Sequence, residues 1–391
     1  MVGKRCLAAM IFVLGTAGAA DQSFAGRIHT GDETGTLHAR FCPELVSILA
    51  QSELAYTCQT STGTAANVRE VTASPSELGY GQLDIFASEL ANLNGAGAII
   101  PLRKDDARQC LFAVTKRRDL QSFGELSALA AQLKFHLPPE DFNSSGTFKI
   151  LQEIDAAGVG QAAAVQHEAS AEDAIRAALA SENAVAFFVE FPNPNDTRFA
   201  LVRELGGHFV PIIDRDILRH HIGGEKIYFA QETQVSNAEW LTSARKAVTA
   251  CTPMVLFTGT PEKITDAKAR QDHEDMIATV RALRTEMLLP QESTFARILA
   301  RTKELSASSA EKLMQASERA KERARPYIED AKEATDRAIE AAKPALNKAK
   351  EYGRKFYDQA REGLKGLMDS ESNEAEPPVA QSEEPRNEPQ Q

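Results

Sequence analysis

Strand-like and helix-like segments alternate along most of this 391-residue chain, from Gly26 to about Thr260. The apolar run AVAFFVEF, at 184–191, is typical of a strand buried on both faces, whereas FCPELVSILAQSE, at 41–53, has apolar residues at helical spacing. Such alternation predicts an open α/β sheet with helices on both faces. The pattern occurs in two units, each with its own loop rich in glycine and hydroxyl residues. We therefore expect two α/β lobes that face a cleft.

The first 25 residues have the pattern of a cleaved secretory signal peptide. Lys4 and Arg5 precede an apolar run at 6–20, and small residues follow it before Gly26. This run is shorter than the roughly 20 residues that a membrane-spanning helix needs. An uncleaved anchor is the alternative. The pattern favours export to the periplasm.

The overall charge argues against one class of partner. The net charge is −11 and the sequence pI is about 5.4. A protein that binds nucleic acid needs a basic surface to neutralise phosphates. We therefore expect no nucleic-acid partner.

Four cysteines remain once the signal peptide is removed, namely Cys42, Cys58, Cys110 and Cys251. An even number in an exported protein indicates disulfides, and the absence of a close CxxC pair argues against zinc. Three pairings are open. We favour Cys42 with Cys58, which flank one helix and strand, and Cys110 with Cys251, which would join the two ends of a long insertion. Free buried thiols are the alternative.

The composition changes after Pro261, where strand signals end and Ala, Lys, Glu and Arg dominate. Apolar residues recur close to the helical period, nearer an 11-residue repeat than a heptad, which predicts an all-α C-terminal extension at 262–368. The acidic segment 369–391, rich in Pro, Gln and Asn, is expected to be disordered. The extension could fold back on the lobes, bind a partner or membrane surface, or self-associate as a coiled coil does. The apolar stripe of the predicted helix is mostly alanine, which buries little area, so its affinity for a membrane surface should be small. We therefore favour a protein partner or self-association.

Three loops place hydroxyl residues beside glycine at the start of a helix. They are HTGDETGT at 29–36, STGTAANVR at 61–69 and NSSGTFK at 143–149. A helix N-terminus has unpaired N–H groups and a partial positive charge, and glycine lets the backbone approach a ligand closely. Such loops suit a carboxylate or phosphate group. An ordinary capped helix is the alternative for any one of them, but three loops in register with the α/β pattern predict a ligand site.

The order of several motifs resembles the TAXI family, the solute receptors associated with tripartite ATP-independent periplasmic (TRAP) transporters. The motifs are TGDETGTLHARFCPEL, STGTAANVREV, ELGYGQLDIFA, NSSGTFKILQEI and VAFFVEFPNPNDTRFAL. The resemblance covers residues 26 to about 261. It implies a type 2 periplasmic binding protein, in which two α/β lobes joined by crossing strands close on a ligand. Family members bind small organic anions, such as amino acids and dicarboxylates, and deliver them to a membrane permease.

The resemblance also implies boundaries and ligand contacts in this chain. Lobe 1 would comprise 26–115 and 236–261, and lobe 2 would comprise 116–235. The implied ligand-binding residues are Thr30, Gly35, Thr36, Ser61, Thr62, Thr64, Gln82, Ser144, Ser145, Gly146, Thr147 and Glu190.

Sequence motifs of catalysis are absent: the chain has no G-x-S-x-G, H-E-x-x-H or P-loop pattern. We therefore expect no enzyme activity, no cofactor and no metal. The favoured function is a periplasmic receptor that captures a small organic anion by lobe closure, for a TRAP-type permease or a sensor. The alternative is an envelope scaffold with a degenerate cleft that acts through its helical extension.

Overall fold

The structure is a computed structural model of the full chain. It describes residues 25–93, 98–238, 243–288 and 303–324 and four single positions, Arg337, Glu340, Lys343 and Pro344. The predicted signal peptide, except Ala25, the predicted tail at 369–391 and nearly all of the extension after 324 lie outside the described residues. The chain divides into two compact units, Met1–Arg325 and Pro326–Gln391, and both lobes belong to the first.

The strands and helices of the first unit follow one another in the predicted alternation. The strands are β1 Ala25–His29, β2 Ala55–Gln59, β3 Leu78–Gln82, β4 Ile99–Thr115, β5 Lys134–Leu137, β6 Ala164–His167, β7 Ala184–Glu190, β8 His208–Val210, β9 His221–Ile222, β10 Glu225–Lys226, β11 Phe229–Gln234, β12 Lys246–Gly259 and β13 Lys303–Glu304. The helices are α1 Cys42–Gln51, α2 Thr64–Ala73, α3 Leu83–Asn92, α4 Phe123–Leu129, α5 Asn143–Ile154, α6 Ala171–Leu179, α7 Thr197–Glu204, α8 Arg215–Leu218, α9 Ala267–Ala282, α10 Thr285–Leu288 and α11 at 307–324.

One sheet runs through both lobes in the order β2-β1-β3-β12-β4-β7-β5-β6. In lobe 1, β1 pairs in parallel with β2 and β3, and β12 lies antiparallel between β3 and β4. In lobe 2, β5 pairs in parallel with β6 and β7, and β4 lies antiparallel to β7. The long strands β4 and β12, of 17 and 14 residues, take part in both lobes. This architecture confirms the predicted fold class, an α/β protein with two lobes joined by crossing strands.

The central strands are buried on both faces, as their apolar sequences predict. All seven residues of β7 and all five of β3 are buried. Helices cover both faces of such strands, since water would otherwise reach the apolar side chains. Capping residues fix where several helices begin. Ser122 accepts a hydrogen bond from the Glu125 amide, as its sequence context predicts, and Ser170 does the same for the Asp173 amide.

The apolar residues of LGYGQLDIFA, at 78–87, predict a single buried strand, but the structure divides this segment between two elements. β3 ends at Gln82, and Leu83 begins α3. Leu83, Ile85 and Phe86 are buried on the helix, so the same apolar residues that suited a strand form a helical face. The segments AGAIIPL and QCLFAVTKR each have the pattern of a separate strand, but the structure joins them in the single strand β4.

The pairing of the two crossing strands contains changes of register. The pairing of β12 with β4 shifts between Pro253, which lies opposite Arg108, and Met254, which lies opposite Asp105. Beyond this bulge, a disulfide joins the cross-strand pair Cys110 and Cys251. The other favoured disulfide, Cys42–Cys58, joins α1 to β2.

The described part of the C-terminal extension packs on the lobes. In α9, Met276 and Val280 belong to the same buried cluster as Ile28 of lobe 1. In α11, Met314 packs into the core of lobe 2, and Ser317 accepts a hydrogen bond of 2.8 Å from the Gly124 amide. The extension was expected to be all-α, but β13 adds a short strand to the edge strand β11, whose backbone groups it pairs.

Candidate functional site

A cavity of about 310 Å³ lies in the cleft between the lobes. Six of the twelve residues implied as ligand contacts line it, and these are Thr30, Gly35, Thr36, Thr62, Ser144 and Glu190. The six that do not line it are Ser61, Thr64, Gln82, Ser145, Gly146 and Thr147. The structure thus brings part of each predicted loop to one cavity.

The first loop follows β1 and turns its hydroxyl groups toward the protein. The Thr30 hydroxyl donates to the carbonyl of Gln59 at 3.1 Å and lies 2.9 Å from Nδ1 of His38. The Thr36 hydroxyl donates to Oε1 of Glu190 at 3.1 Å, which joins lobe 1 to lobe 2. Both hydroxyls are therefore engaged with side chains or backbone of the chain itself.

The second loop precedes α2, whose N-terminus was expected to bind an anion. Instead, the Thr64 amide donates to Oδ1 of Asn143 across the cleft, at 2.7 Å. Gly63 permits this approach, because a Cβ there would lie 2.5 Å from that oxygen and the glycine has a φ of +141°. The side-chain oxygen of Asn143, which belongs to lobe 2, thus occupies the position that was predicted for a ligand carboxylate.

The side chains of this second loop have different surroundings. Ser61 accepts a hydrogen bond from the Gly63 amide, and the buried Thr64 hydroxyl accepts one from the Gln82 amide at 2.9 Å. Both hydroxyls serve the local backbone. The Thr62 hydroxyl lines the cavity and has no hydrogen bond within the described residues. Thr62 is therefore the residue of this loop that is ready to contact a ligand.

The third predicted loop forms the first turn of α5. Ser144 lines the cavity, and its hydroxyl accepts a hydrogen bond of 3.0 Å from the Val189 amide. Ser145 is buried and donates to the carbonyl of Pro138, also at 3.0 Å. Gly146 faces Ile85 of lobe 1. Helical geometry turns successive residues in different directions, which is why only the start of this motif reaches the cavity.

A buried carboxylate holds the lobes together beside the cavity. Asp84 of α3 accepts hydrogen bonds from the Thr147 hydroxyl at 2.7 Å and from the Tyr228 hydroxyl at 3.0 Å, both from lobe 2. The Ile85 amide is a third donor. Burial raises the pKa of Asp84 above the usual aspartate value, against the opposing effect of these donors. Thr147 therefore stabilises the closed arrangement of the lobes.

Arg198 was not among the predicted site residues, yet it lines the cavity from α7. Its guanidinium lies 2.7 Å from Oε2 of Glu190 and 2.6 Å from Oδ2 of Asp196. Burial raises the pKa of Glu190, and Arg198 opposes that shift. Burial would lower the pKa of Arg198, but the two carboxylates outweigh this effect and raise it. The only sequence signal for Arg198 was its place just after the loop that follows β7, at the cleft edge of the sheet.

Several other polar residues of the cavity were also missed. Asp32 comes from the first loop, Gln109 from the crossing strand β4, and Asn143 from the start of α5. Residues 169–172 bring the first turn of α6 to the same wall. Their positions depend on how the two lobes meet, which no local pattern reveals.

The described residues show no arrangement typical of an enzyme or a metal centre. Ser145 lies 3.2 Å from Nδ1 of His167, but this serine is buried and donates to a carbonyl, so its hydroxyl is not available as a nucleophile. No group of three His, Cys, Asp or Glu residues in the described part of the chain could hold a metal ion. Among the described helices, none combines the length and apolar character required to cross a membrane.

Comparisons with known proteins find only distant similarity to solved structures. No family model and no curated protein matches the chain. A similar solved structure is MatC from Rhodopseudomonas palustris with bound malate, at 7% identity and a TM-score of 0.40, covering 78% of this chain and 98% of that chain. A TctC solute binding protein from Polaromonas has 10% identity and a TM-score of 0.38, covering 78% and 98%. A choline binding protein of an ABC transporter, with choline, has 11% identity and a TM-score of 0.40, covering 71% and 86%. The solved structures similar to this chain thus include solute-binding proteins.

Proposed function

We propose that this protein is a periplasmic solute-binding protein of the TAXI type, which captures a small organic anion of the amino acid or dicarboxylate class by lobe closure. The observation that carries this proposal is the polar cavity of about 310 Å³, which has walls from both lobes. Sites for small molecules are typically clefts of about 300 to 1,000 Å³ with a few directed polar groups. The bound solute would then pass to a TRAP-type permease or a sensor.

The chemistry of the cavity supports recognition of a carboxylate. The Thr62 hydroxyl is unengaged among the described residues, and it can donate to a carboxylate oxygen. The first turn of α6 also lines the cavity, and the N–H groups at a helix start favour negative charge. The binding residues of this proposal are therefore Thr62 and the start of α6, with Thr36, Ser144 and Glu190 shaping the wall.

Closure would work through differential affinity. A ligand favours the closed state only by as much as it binds that state more tightly. The hydrogen bonds from Thr36 to Glu190 and from Thr64 to Asn143 form only when the lobes meet. We propose lobe boundaries at 26–115 with 236–261, and at 116–235, with β4 and β12 as the crossing strands that join the lobes. The signal peptide at 1–25 would direct the chain to the periplasm, an oxidising compartment that suits both disulfides.

The test is calorimetric titration with the twenty amino acids and with C4 dicarboxylates. We expect at least one of them to bind, and Thr62→Ala to weaken that binding by about tenfold, the effect of losing one hydrogen bond to a charged group. Thr57→Ala is the matched control, since Thr57 is exposed on β2 and outside the cavity. A flat response to the whole panel, or equal losses in both variants, would contradict the proposal.

A second function is favoured by one observation. The chain's own Asn143 occupies the start of α2, where a ligand group was expected. In this alternative the cleft is degenerate, and the protein is an envelope scaffold that acts through its C-terminal extension, by binding a partner or by self-association. It predicts no solute binding and an oligomeric state that changes when 326–368 is deleted, which analytical ultracentrifugation would measure.

A further inference from the structure

More acidic than basic side chains line the cavity. Three carboxylates line it, from Asp32, Glu172 and Glu190, whereas Arg198 is the only lysine or arginine among its described lining residues. The guanidinium of Arg198 is already paired with Glu190 at 2.7 Å and with Asp196 at 2.6 Å. Little positive charge therefore remains for an incoming anion.

A second and independent observation concerns hydrogen-bond acceptors. Gln109 lines the cavity and is only 8% exposed, and its Oε1 has no donor among the described residues. Leaving a buried carbonyl oxygen without a donor is costly, and a ligand N–H group would remove that cost. Asp32 and Glu172 each have one carboxylate oxygen engaged by a threonine hydroxyl, at 2.8 and 3.3 Å, and the same oxygen of Glu172 lies 4.0 Å from Nε of Arg198. These acceptors suit a ligand that donates hydrogen bonds.

The donors that remain suit a single carboxylate. The start of α2 is closed to a ligand, because the Thr64 amide already donates to Asn143. Among the described lining residues, the donors without a hydrogen bond include the Thr62 hydroxyl and the N–H groups of Ala171 and Glu172 at the start of α6, a helix of 9 residues, whereas the Asp173 N–H already donates to Ser170. One carboxylate can bind there, whereas a second would face Asp32, Glu172 or Glu190.

We infer that the ligand carries a protonated amine together with at most one carboxylate, so that it has no net negative charge, as in a neutral or basic amino acid. This inference rests on the proposed solute-binding function and changes its ligand class from organic anions to amino acids without net negative charge, so it excludes dicarboxylates and acidic amino acids. The amine binds the acceptors of Asp32, Glu172 and Gln109, and the carboxylate binds the start of α6.

The test compares matched pairs by calorimetry, with the full-length exported protein. The probes are leucine and its 2-hydroxy acid analogue, lysine and its 2-hydroxy acid analogue, glutamate, succinate and malate. We expect leucine or lysine to bind at least about tenfold more tightly than its hydroxy acid, because the analogue loses an ion pair within a partly buried site. Succinate, malate and glutamate are expected not to bind.

A pair of variants tests whether the ligand amine binds beside Glu172. Glu172→Gln is expected to weaken binding of the amine by about fivefold, the upper range for a partly exposed ion pair, and to leave the hydroxy acid unchanged. Glu182→Gln is the control, since Glu182 is exposed beyond the other end of α6. Binding of succinate, malate or a hydroxy acid as tight as that of the amino acids would overturn the inference and leave the proposed function intact. Failure of every probe to bind would overturn both.

Discussion

Asp84 joins the two lobes through hydrogen bonds to its buried side chain. Its carboxylate is fully buried, and the hydroxyls of Thr147 and Tyr228 reach it from the other lobe. Because burial disfavours the charged form, the pKa of Asp84 is raised in the folded protein. The folded state therefore binds a proton at this site more tightly than the unfolded chain does.

This raised pKa gives a prediction for Asp84→Asn. A folded pKa above the unfolded value of about 3.9 means that the free energy of unfolding falls as pH rises through the range just above that value. We expect the wild type to lose stability relative to Asp84→Asn as pH increases from about 4 to 7. Urea denaturation of both proteins at each pH measures the difference, in which other titrating groups cancel. Parallel pH curves for the two proteins would contradict it.

The direction of single side chains was the part of the site that the sequence could not supply. Local patterns located the three loops, but Thr64, Ser145 and Thr147 point into the protein because their hydrogen-bond partners lie outside the loop motifs. Arg198 and Gln109 were missed for the same reason, since their places in the cavity depend on the meeting of two lobes. Hydroxyl residues beside glycine are equally suited to capping a helix and to holding a ligand.

Among the secondary-structure elements, α11 depends on one close contact. A Cβ at Gly124 would lie 1.9 Å from the carbonyl oxygen of Ser317, which is backbone and cannot move aside without the helix. At Gly146 the corresponding neighbour is the tip of the Ile85 side chain at 3.0 Å, which can rotate. The two glycines thus form a matched pair of helical positions that differ in their tolerance of an added Cβ.

We expect Gly124→Ala to destabilise the protein by roughly 2 kcal/mol, the usual range for overpacking, and to release α11. Gly146→Ala should be nearly neutral, because the gain in helix propensity offsets the contact. Hydrogen exchange over 307–324 reports the release, and thermal denaturation reports the stability. Unchanged protection of α11 in Gly124→Ala would show that the helix does not rely on this contact.

Element type was easier to predict than element limits. The alternation of β and α was correct because burial on both faces leaves a strong apolar signal, as in β7. The end of β3 at Gln82 was missed because Leu83, Ile85 and Phe86 satisfy both a strand and a helix pattern. The packing of α9 and α11 on the lobes was one of three open alternatives, since an amphipathic pattern does not reveal which surface its apolar face packs against.

At the scale of the whole molecule, the two disulfides differ in what they constrain. Cys42–Cys58 closes a separation of 16 residues, whereas Cys110–Cys251 closes one of 141 and joins the crossing strands. A cross-link removes more freedom from the unfolded chain when the loop that it closes is longer. The second disulfide should therefore contribute more to stability.

We expect the Cys110→Ala, Cys251→Ala protein to lose about 5 kcal/mol and the Cys42→Ala, Cys58→Ala protein about 3 kcal/mol, by loop-closure entropy. Urea denaturation without reductant gives both values, and both variants remove two half-cystines, so packing losses are matched. Equal losses, or a larger loss for the shorter loop, would contradict this account.

The position of β12 has a consequence for how the chain is made. This strand lies between β3 and β4 in lobe 1, yet its residues 246–259 follow the whole of lobe 2 in the sequence. Synthesis proceeds at about 5 to 20 residues per second, so β3 and β4 are made several seconds before β12, the strand that lies between them. The nascent chain cannot complete its first lobe in that interval. An export machinery that threads unfolded polypeptides would meet it in a form that can still be threaded.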